Sequence, residues 1–152
     1  MDFAKLDLRA ASEAGSWVHL EHNGEALFLD QGADTPEKPQ RLHIKGVGDP
    51  KVMAACRAVT RNQTLMADRL ARASDKDAEN VVKTFEKRTE EATANMIVTA
   101  VDRWENIVWD GEELDLNRDN LLRICGPGTL FFSQVSSAIL EHKRLFSSAA
   151  TD

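Results

Sequence analysis

The chain has 152 residues, of which 42% are hydrophobic and 29% charged, and its formal net charge at pH 7 is -6. This composition is typical of one globular domain and unlike that of a disordered chain. The negative charge repels phosphate groups, which argues against nucleic acid or an anionic membrane surface as the main partner. The N-terminus lacks the apolar segment of a signal peptide, and no run reaches the roughly 20 apolar residues of a membrane helix. We therefore expect a cytoplasmic protein with one domain, residues 1–152.

Residues 16–47 are predicted to form a β-rich subregion. Asn23 and Gly24 separate two alternating segments, and Asn-Gly is the strongest short signal for a β-hairpin. A two-residue turn there places two apolar pairs on one face of the ladder, Leu20 with Leu27 and Val18 with Leu29. Residues 41–45 alternate again and are predicted as a third strand. Three short strands need a helix packed over their apolar face.

Residues 50–147 are predicted to be mostly helical. Asp49-Pro50 marks a helix start, because an Asp N-cap accepts a backbone N–H and Pro at the first helical position loses no hydrogen bond. This helix runs to about residue 72. Ser74 resembles the first residue of a capping box and opens a second, longer helix to about Trp104. Both helices carry one apolar stripe, which includes Val82 in the second, so they are predicted to form an antiparallel hairpin.

Two shorter helices are predicted after this hairpin. Asp110-Gly111 indicates a short turn or a hairpin between residues 106 and 116. Asn117 then caps a brief helix that ends at Gly126, and a last helix runs from about Thr129 to residue 146. The sequence therefore predicts an α+β fold. A small antiparallel hairpin or three-stranded sheet packs on a long helical hairpin and two shorter C-terminal helices.

The histidines and cysteines do not form a recognised reactive motif. His19 and His22 are three residues apart and point to opposite faces of a strand, so they could bind one metal ion only if the strand bends. His43 and a distant cysteine would complete a zinc set, and the alternative is that the three histidines lie on the surface of strands. Neither Cys56 nor Cys125 has the sequence context of a nucleophile, and both are interpreted as reduced, structural thiols. The sequence predicts no catalytic residue, no metal, no cofactor and a protein that is not an enzyme.

Adjacent apolar residues mark the start of the last predicted helix. Phe131 and Phe132 differ by about 100° around a helix, so either both rings are buried or one faces outward beside Leu130 as part of a docking patch. The candidate partner-binding residues are Leu130, Phe131, Phe132, Leu145 and Phe146.

The order of several motifs resembles phage tail assembly chaperones of long-tailed phages and gene transfer agents. In the C-terminal half these motifs are Trp104-Glu-Asn-Ile, Asp110-Gly-Glu-Glu-Leu114, Asn117-Arg-Asp-Asn120 with Leu121-Leu122, Gln134-Val135 and Leu145-Phe146. The N-terminal half is also similar, through Gly15-Ser-Trp17-Val-His-Leu20, the Asn-Gly-Glu turn and Leu42-His-Ile-Lys-Gly46.

The resemblance implies a helper that is absent from the mature virion. Such a helper binds the tape measure protein in the host cytoplasm, shields its apolar helices and recruits tail tube subunits. Two other hypotheses stay open, a structural tail or connector component of a phage-like particle and a small cytosolic adaptor or regulatory protein. Weak self-association of the protein is also left open, and nucleic acid and membrane are not expected as partners.

Overall fold

The computed structural model describes residues 14–46 and 48–151, with side chains as far as His142. Its fold is α+β, as the sequence predicts. The strands are β1 (Ser16–His19), β2 (Glu21–His22), β3 (Glu25–Ala26), β4 (Arg41–Ile44), β5 (Val101–Glu105), β6 (Val108–Trp109) and β7 (Glu112–Glu113). The helices are α1 (Pro50–Arg72), α2 (Asp75–Ala100), α3 (Arg118–Cys125) and α4 (Phe132–Thr151).

The predicted hairpin forms around Asn23 and Gly24, whose φ angles are 52° and 78°. Strands β2 and β3 pair antiparallel on either side of this turn. The Leu27 N–H donates to the Leu20 carbonyl at 2.8 Å, so the predicted pairing of these two residues is confirmed. Positive φ at both central positions is the geometry that an Asn-Gly turn supplies most easily.

The second predicted pair of this hairpin, Val18 with Leu29, is wrong. Val18 pairs with Leu42 of β4, whereas the Leu29 N–H donates to the Lys38 carbonyl at 2.8 Å. The hairpin ladder thus ends after Leu20, and β1 joins a different sheet. The sequence pattern did not reveal this change, because both arrangements keep Val18 on an apolar face.

The main sheet has the strand order β1-β4-β5 and is antiparallel throughout. The prediction that the second helix continues to Trp104 is wrong, since α2 ends at Ala100 and β5 begins at Val101. The Ala100 carbonyl accepts a hydrogen bond from the Lys45 N–H at 2.8 Å, which ties this junction to the end of β4. Pairing with β4 overrides the local helical periodicity. Strand β5 therefore lies partly inside the helix predicted to run to Trp104, whereas β6 and β7 form the hairpin that was one of the two alternatives predicted around Asp110-Gly111.

The core lies between the sheet and the bases of the helices. Leu42 and Ile44 of β4 face it and are 0% and 1% exposed. The helices contribute apolar residues that are also fully buried, among them Val52, Cys56, Val59, Met96, Ile97, Leu121, Val135 and Ile139. Helix α1 starts as predicted, because the Asp49 carboxylate accepts from the N–H groups of Lys51 and Val52. Ser74 does not form the predicted box, since its hydroxyl donates to the Asp77 carboxylate.

The helical hairpin extends beyond this core. We call residues 60–92 of this hairpin the arm. Phe85 is the one fully buried side chain in the arm. Met66 and Leu70 are half-buried between α1 and α2. The placement of Val82 in the buried stripe is wrong, because its side chain is 39% exposed. Two helices alone cannot cover an apolar residue that points away from both.

Candidate functional site

Helix α3 and the turn after it place the start of α4 at the surface. The Asn117 side chain caps α3 as predicted, accepting from the Asn120 N–H at 2.9 Å. After α3, the Thr129 hydroxyl donates to the Gly126 carbonyl at 2.7 Å and holds a tight turn. Helix α4 consequently begins at Phe132 and not near Thr129. Val135 of α4 points into the core, which anchors the helix below the turn.

The apolar residues at this turn form the candidate docking site, which we call the α4 patch: Leu130, Phe131 and Phe132. Leu130 is 64% exposed, and both phenylalanines are half-buried against the core. Full burial of both rings, one of the two sequence-based alternatives, is wrong. Leu145 and Phe146 belong to α4, but their side chains lie outside the described residues. The structure thus brings together three of the five predicted partner-binding residues.

Trp109 is a further exposed apolar residue that the sequence-based prediction missed. It closes β6, is 45% exposed, and has the Arg123 guanidinium 5.3 Å from its ring centroid. Arg123 belongs to α3, the helix that leads into the α4 patch. An aromatic residue directly before the Asp110-Gly111 turn is a signal that points to the surface, because turns are exposed.

Two of the motif residues, Gln134 and Trp104, connect separate parts of the fold through their side chains. The Gln134 side chain donates to the His19 carbonyl at 2.9 Å and accepts from the Glu21 N–H at 3.1 Å, so it joins α4 to the junction of β1 and β2. The Trp104 indole donates to the Leu114 carbonyl at 3.0 Å and fixes the chain after the β6–β7 hairpin. Gln134 therefore holds the start of α4, whereas Trp104 holds the end of the β6–β7 hairpin.

His43 is the most buried histidine among the described residues, and the expectation that it lies on the surface is wrong. It is 5% exposed on the central strand. Its Nδ1 contacts the Asp102 carboxylate at 2.6 Å, and its Nε2 contacts the Ala14 carbonyl at 3.0 Å. Trp17 packs edge-on at 5.1 Å. With both ring nitrogens engaged, His43 is held as a structural group rather than presented to a ligand.

His19 and His22 are the other two histidines of the possible zinc set. His19 directs its Nε2 to the Leu27 carbonyl at 2.6 Å, while His22 lies exposed on the hairpin. Over residues 14–46 and 48–151, no group of three or more His, Cys, Asp or Glu side chains is placed to hold a metal ion. His19 and His43 therefore make their hydrogen bonds to neighbouring parts of the protein.

Both cysteines are buried, and neither is part of a disulfide. Burial in apolar surroundings raises the pKa of the Cys125 thiol from its ordinary value of 9.0 to about 12. A thiol in this state is protonated at neutral pH and is a poor nucleophile. The folded protein therefore keeps Cys125 as a packing residue.

We expect the thiols to resist an aqueous disulfide reagent at pH 8 and to react fully in guanidinium chloride. Because the pKa of Cys125 is raised in the folded state, its thiol stays protonated at a pH where the unfolded chain loses the proton. The free energy of unfolding should therefore fall as pH rises from 9 towards about 12. Rapid labelling of Cys125 in the folded protein, mapped by peptide mass, would contradict this description.

Leu130 of the α4 patch, at 64%, is the most exposed large hydrophobic side chain among the described residues. Within the part of the chain that the structure covers, every helix is too short or too polar to cross a membrane. No protein-family model, no curated protein and no solved structure matches the chain. The surface, the charge and the motif order are therefore the basis for a functional proposal.

Proposed function

We propose that the protein is a non-enzymatic tail assembly chaperone, which binds the tape measure protein of a phage-like particle and helps to recruit tail tube subunits. The α4 patch is the observation that supports this proposal best. Leu130, Phe131 and Phe132 are consecutive, and none of them is fully buried. Runs of exposed apolar residues endanger solubility unless they serve binding. The motif order, which resembles that of tail assembly chaperones, supports the same role.

The chemistry of the patch fits an amphipathic helix as its ligand. Such a helix binds by placing apolar anchors from successive turns against an apolar surface. Leu130 and the two aromatic rings supply that surface, and Trp109 is a further exposed aromatic residue beside Arg123 of α3. The net charge of -6 favours a client helix with basic flanks. A long helical tape measure protein offers many segments of this kind.

The proposed role places the protein in the host cytoplasm and outside the finished particle. A helper that must leave again needs weak individual contacts, of about micromolar affinity or roughly -8 kcal/mol each. Many copies on one long client then hold it through multivalency. Titration of one copy with one client segment tests this part, and nanomolar binding would contradict it.

Co-expression with the tape measure protein encoded in the same genome tests the proposal. The tape measure protein alone should be insoluble, and it should become soluble and co-purify when this chain is present. A tape measure protein that stays insoluble and does not co-purify would contradict the proposal.

Mass spectrometry of purified particles separates the chaperone from a structural tail or connector component. A chaperone should be missing from mature particles and present in lysates during assembly. A fixed stoichiometric amount in the particle would instead support the structural component.

A further inference from the structure

The arm carries two rows of exposed charged residues, each interrupted by one exposed apolar residue. The row on α1, called the basic row, is mainly basic and consists of Arg61, Leu65, Asp68, Arg69 and Arg72. The row on α2, called the acidic row, is mainly acidic and consists of Asp75, Glu79, Val82, Lys83, Glu86 and Glu90. Spacings of three and four residues keep each row on one side of its helix. Leu65 and Val82 are 43% and 39% exposed, so both interrupting residues stand in solvent.

The two rows lie on opposite sides of the arm. Leu65 comes one residue before the half-buried Met66 of α1, whereas Val82 comes one residue after the half-buried Val81 of α2. One residue turns a helix by about 100°. The two helices are antiparallel. One residue towards the N-terminus of α1 and one residue towards the C-terminus of α2 therefore lie on opposite faces of the arm. The arm therefore has a mainly basic side and a mainly acidic side.

The basic side also has a groove. A depression of about 320 Å³ is lined by Arg69 from α1 and by residues of α2 that include Val81, Phe85 and Arg88. The Arg88 guanidinium lies 5.4 Å from the centroid of the Phe85 ring. Asp77 also lines the depression, but no member of the acidic row does. The groove thus has two apolar residues, Val81 and Phe85, with Asn80, Thr84 and the two arginines around them.

We propose that the acidic row of a second copy of this chain binds in this groove. Val82 of that copy lies over half-buried Val81 and the small exposed part of Phe85, on the side of the arm that carries Leu65. Glu79 and Glu86 of that copy lie three and four residues from its Val82. In the same way, Arg61 and Arg69 each lie four residues from Leu65. Opposite charges therefore meet on both sides of an apolar contact. This match of charge and spacing within one sequence is what identifies the partner as a second copy.

Existing ion pairs in the arm do not prevent this contact. Glu79 pairs with Lys83 at 3.2 Å, and Arg72 pairs with Asp68 at 3.4 Å. All four side chains are more than half exposed, and such helix pairs contribute only about 0.3–0.5 kcal/mol. They can exchange for contacts between copies at little cost.

The contact is head-to-tail, because each copy presents one basic and one acidic side. Heterologous contacts of this kind form rings or open stacks instead of stopping at a dimer. Stacked copies would cover an extended partner with a regular series of identical surfaces. This inference concerns contacts between copies and does not depend on the proposed function.

Two single substitutions test the inference, each blocking one side. Leu65→Glu puts an acid into the basic row and leaves the acidic row intact, whereas Val82→Lys puts a base into the acidic row and leaves the groove intact. Analytical ultracentrifugation should show that the mass of the wild-type protein rises with concentration and falls with added salt. Each variant alone should be monomeric. An equimolar mixture should give a dimer and nothing larger.

Leu29→Glu is the matched control, because Leu29 is 42% exposed and lies outside the arm. It should associate like the wild type. Circular dichroism checks that all variants are folded. If Leu65→Glu or Val82→Lys is unfolded, the milder substitutions Arg69→Glu and Glu86→Lys are used instead. A wild-type protein that stays monomeric at every concentration, or a mixture that forms no dimer, would overturn the inference.

Discussion

Leu42→Ala is expected to lower the free energy of unfolding by about 2–5 kcal/mol, a large share of the roughly 5–15 kcal/mol of a typical domain. Leu42 is 0% exposed and lies on the central strand, where it pairs with Val18 on one side and Trp104 on the other. Shortening the side chain removes buried methyl groups and leaves a cavity between the sheet and the helices. The strands around the cavity are hydrogen-bonded to one another, so they cannot close it fully.

Urea unfolding of Leu42→Ala and Leu29→Ala measures this effect with a matched control. Leu29 is 42% exposed, and its replacement should change stability by no more than about 0.5 kcal/mol. If both substitutions had the same effect, β4 would not be the central strand over the core.

Gly15→Ala is expected to be the second most damaging substitution. Gly15 has a φ of 72°, and a Cβ atom added there would overlap the carbonyl oxygen of Ile44. A non-glycine residue in the left-handed region costs about 1–2 kcal/mol by itself. The overlap adds to this cost, because that oxygen belongs to the backbone of β4, against which β1 is paired. Relief of the overlap would therefore require the two strands to separate locally.

Gly24→Ala isolates the cost of the positive φ alone. Gly24 has a φ of 78°, but nothing lies within 4 Å of an added Cβ atom. We expect the midpoint of thermal unfolding to fall for both variants and to fall further for Gly15→Ala. Equal shifts would show that β1 does not approach β4 as closely as described.

Features that depend on neighbouring residues could be predicted from the sequence. Asp49 and Asn117 cap their helices, and Asn23-Gly24 forms the turn, because each acts on backbone groups within three residues. Strand β5 could not be predicted in this way. Val101 continues the apolar pattern of α2, and only pairing with β4, far away in the chain, ends the helix there.

The burial of polar groups could likewise not be predicted from the sequence. His43 is buried because Asp102 and Ala14 satisfy its ring, and these partners are 59 and 29 residues away. At the candidate site, Leu130 could be predicted from a run of adjacent apolar residues. The rows of the arm could not be predicted. Val82 is exposed, yet it fits the apolar periodicity of α2 as well as the buried residues of that helix do. Only the packing of two helices shows which apolar residues remain uncovered.

The affinity of a tape measure segment for the wild-type protein, Leu130→Asp and Leu29→Asp tests the central claim most directly. Full burial of a leucine side chain contributes about 1.5–3 kcal/mol, and each 1.4 kcal/mol is roughly a tenfold change in affinity. Calorimetric titration should therefore show binding that Leu130→Asp weakens by about tenfold or more and that Leu29→Asp leaves unchanged. Equal binding by Leu130→Asp and the wild type, or no binding by the wild type, would contradict a client site at the α4 patch.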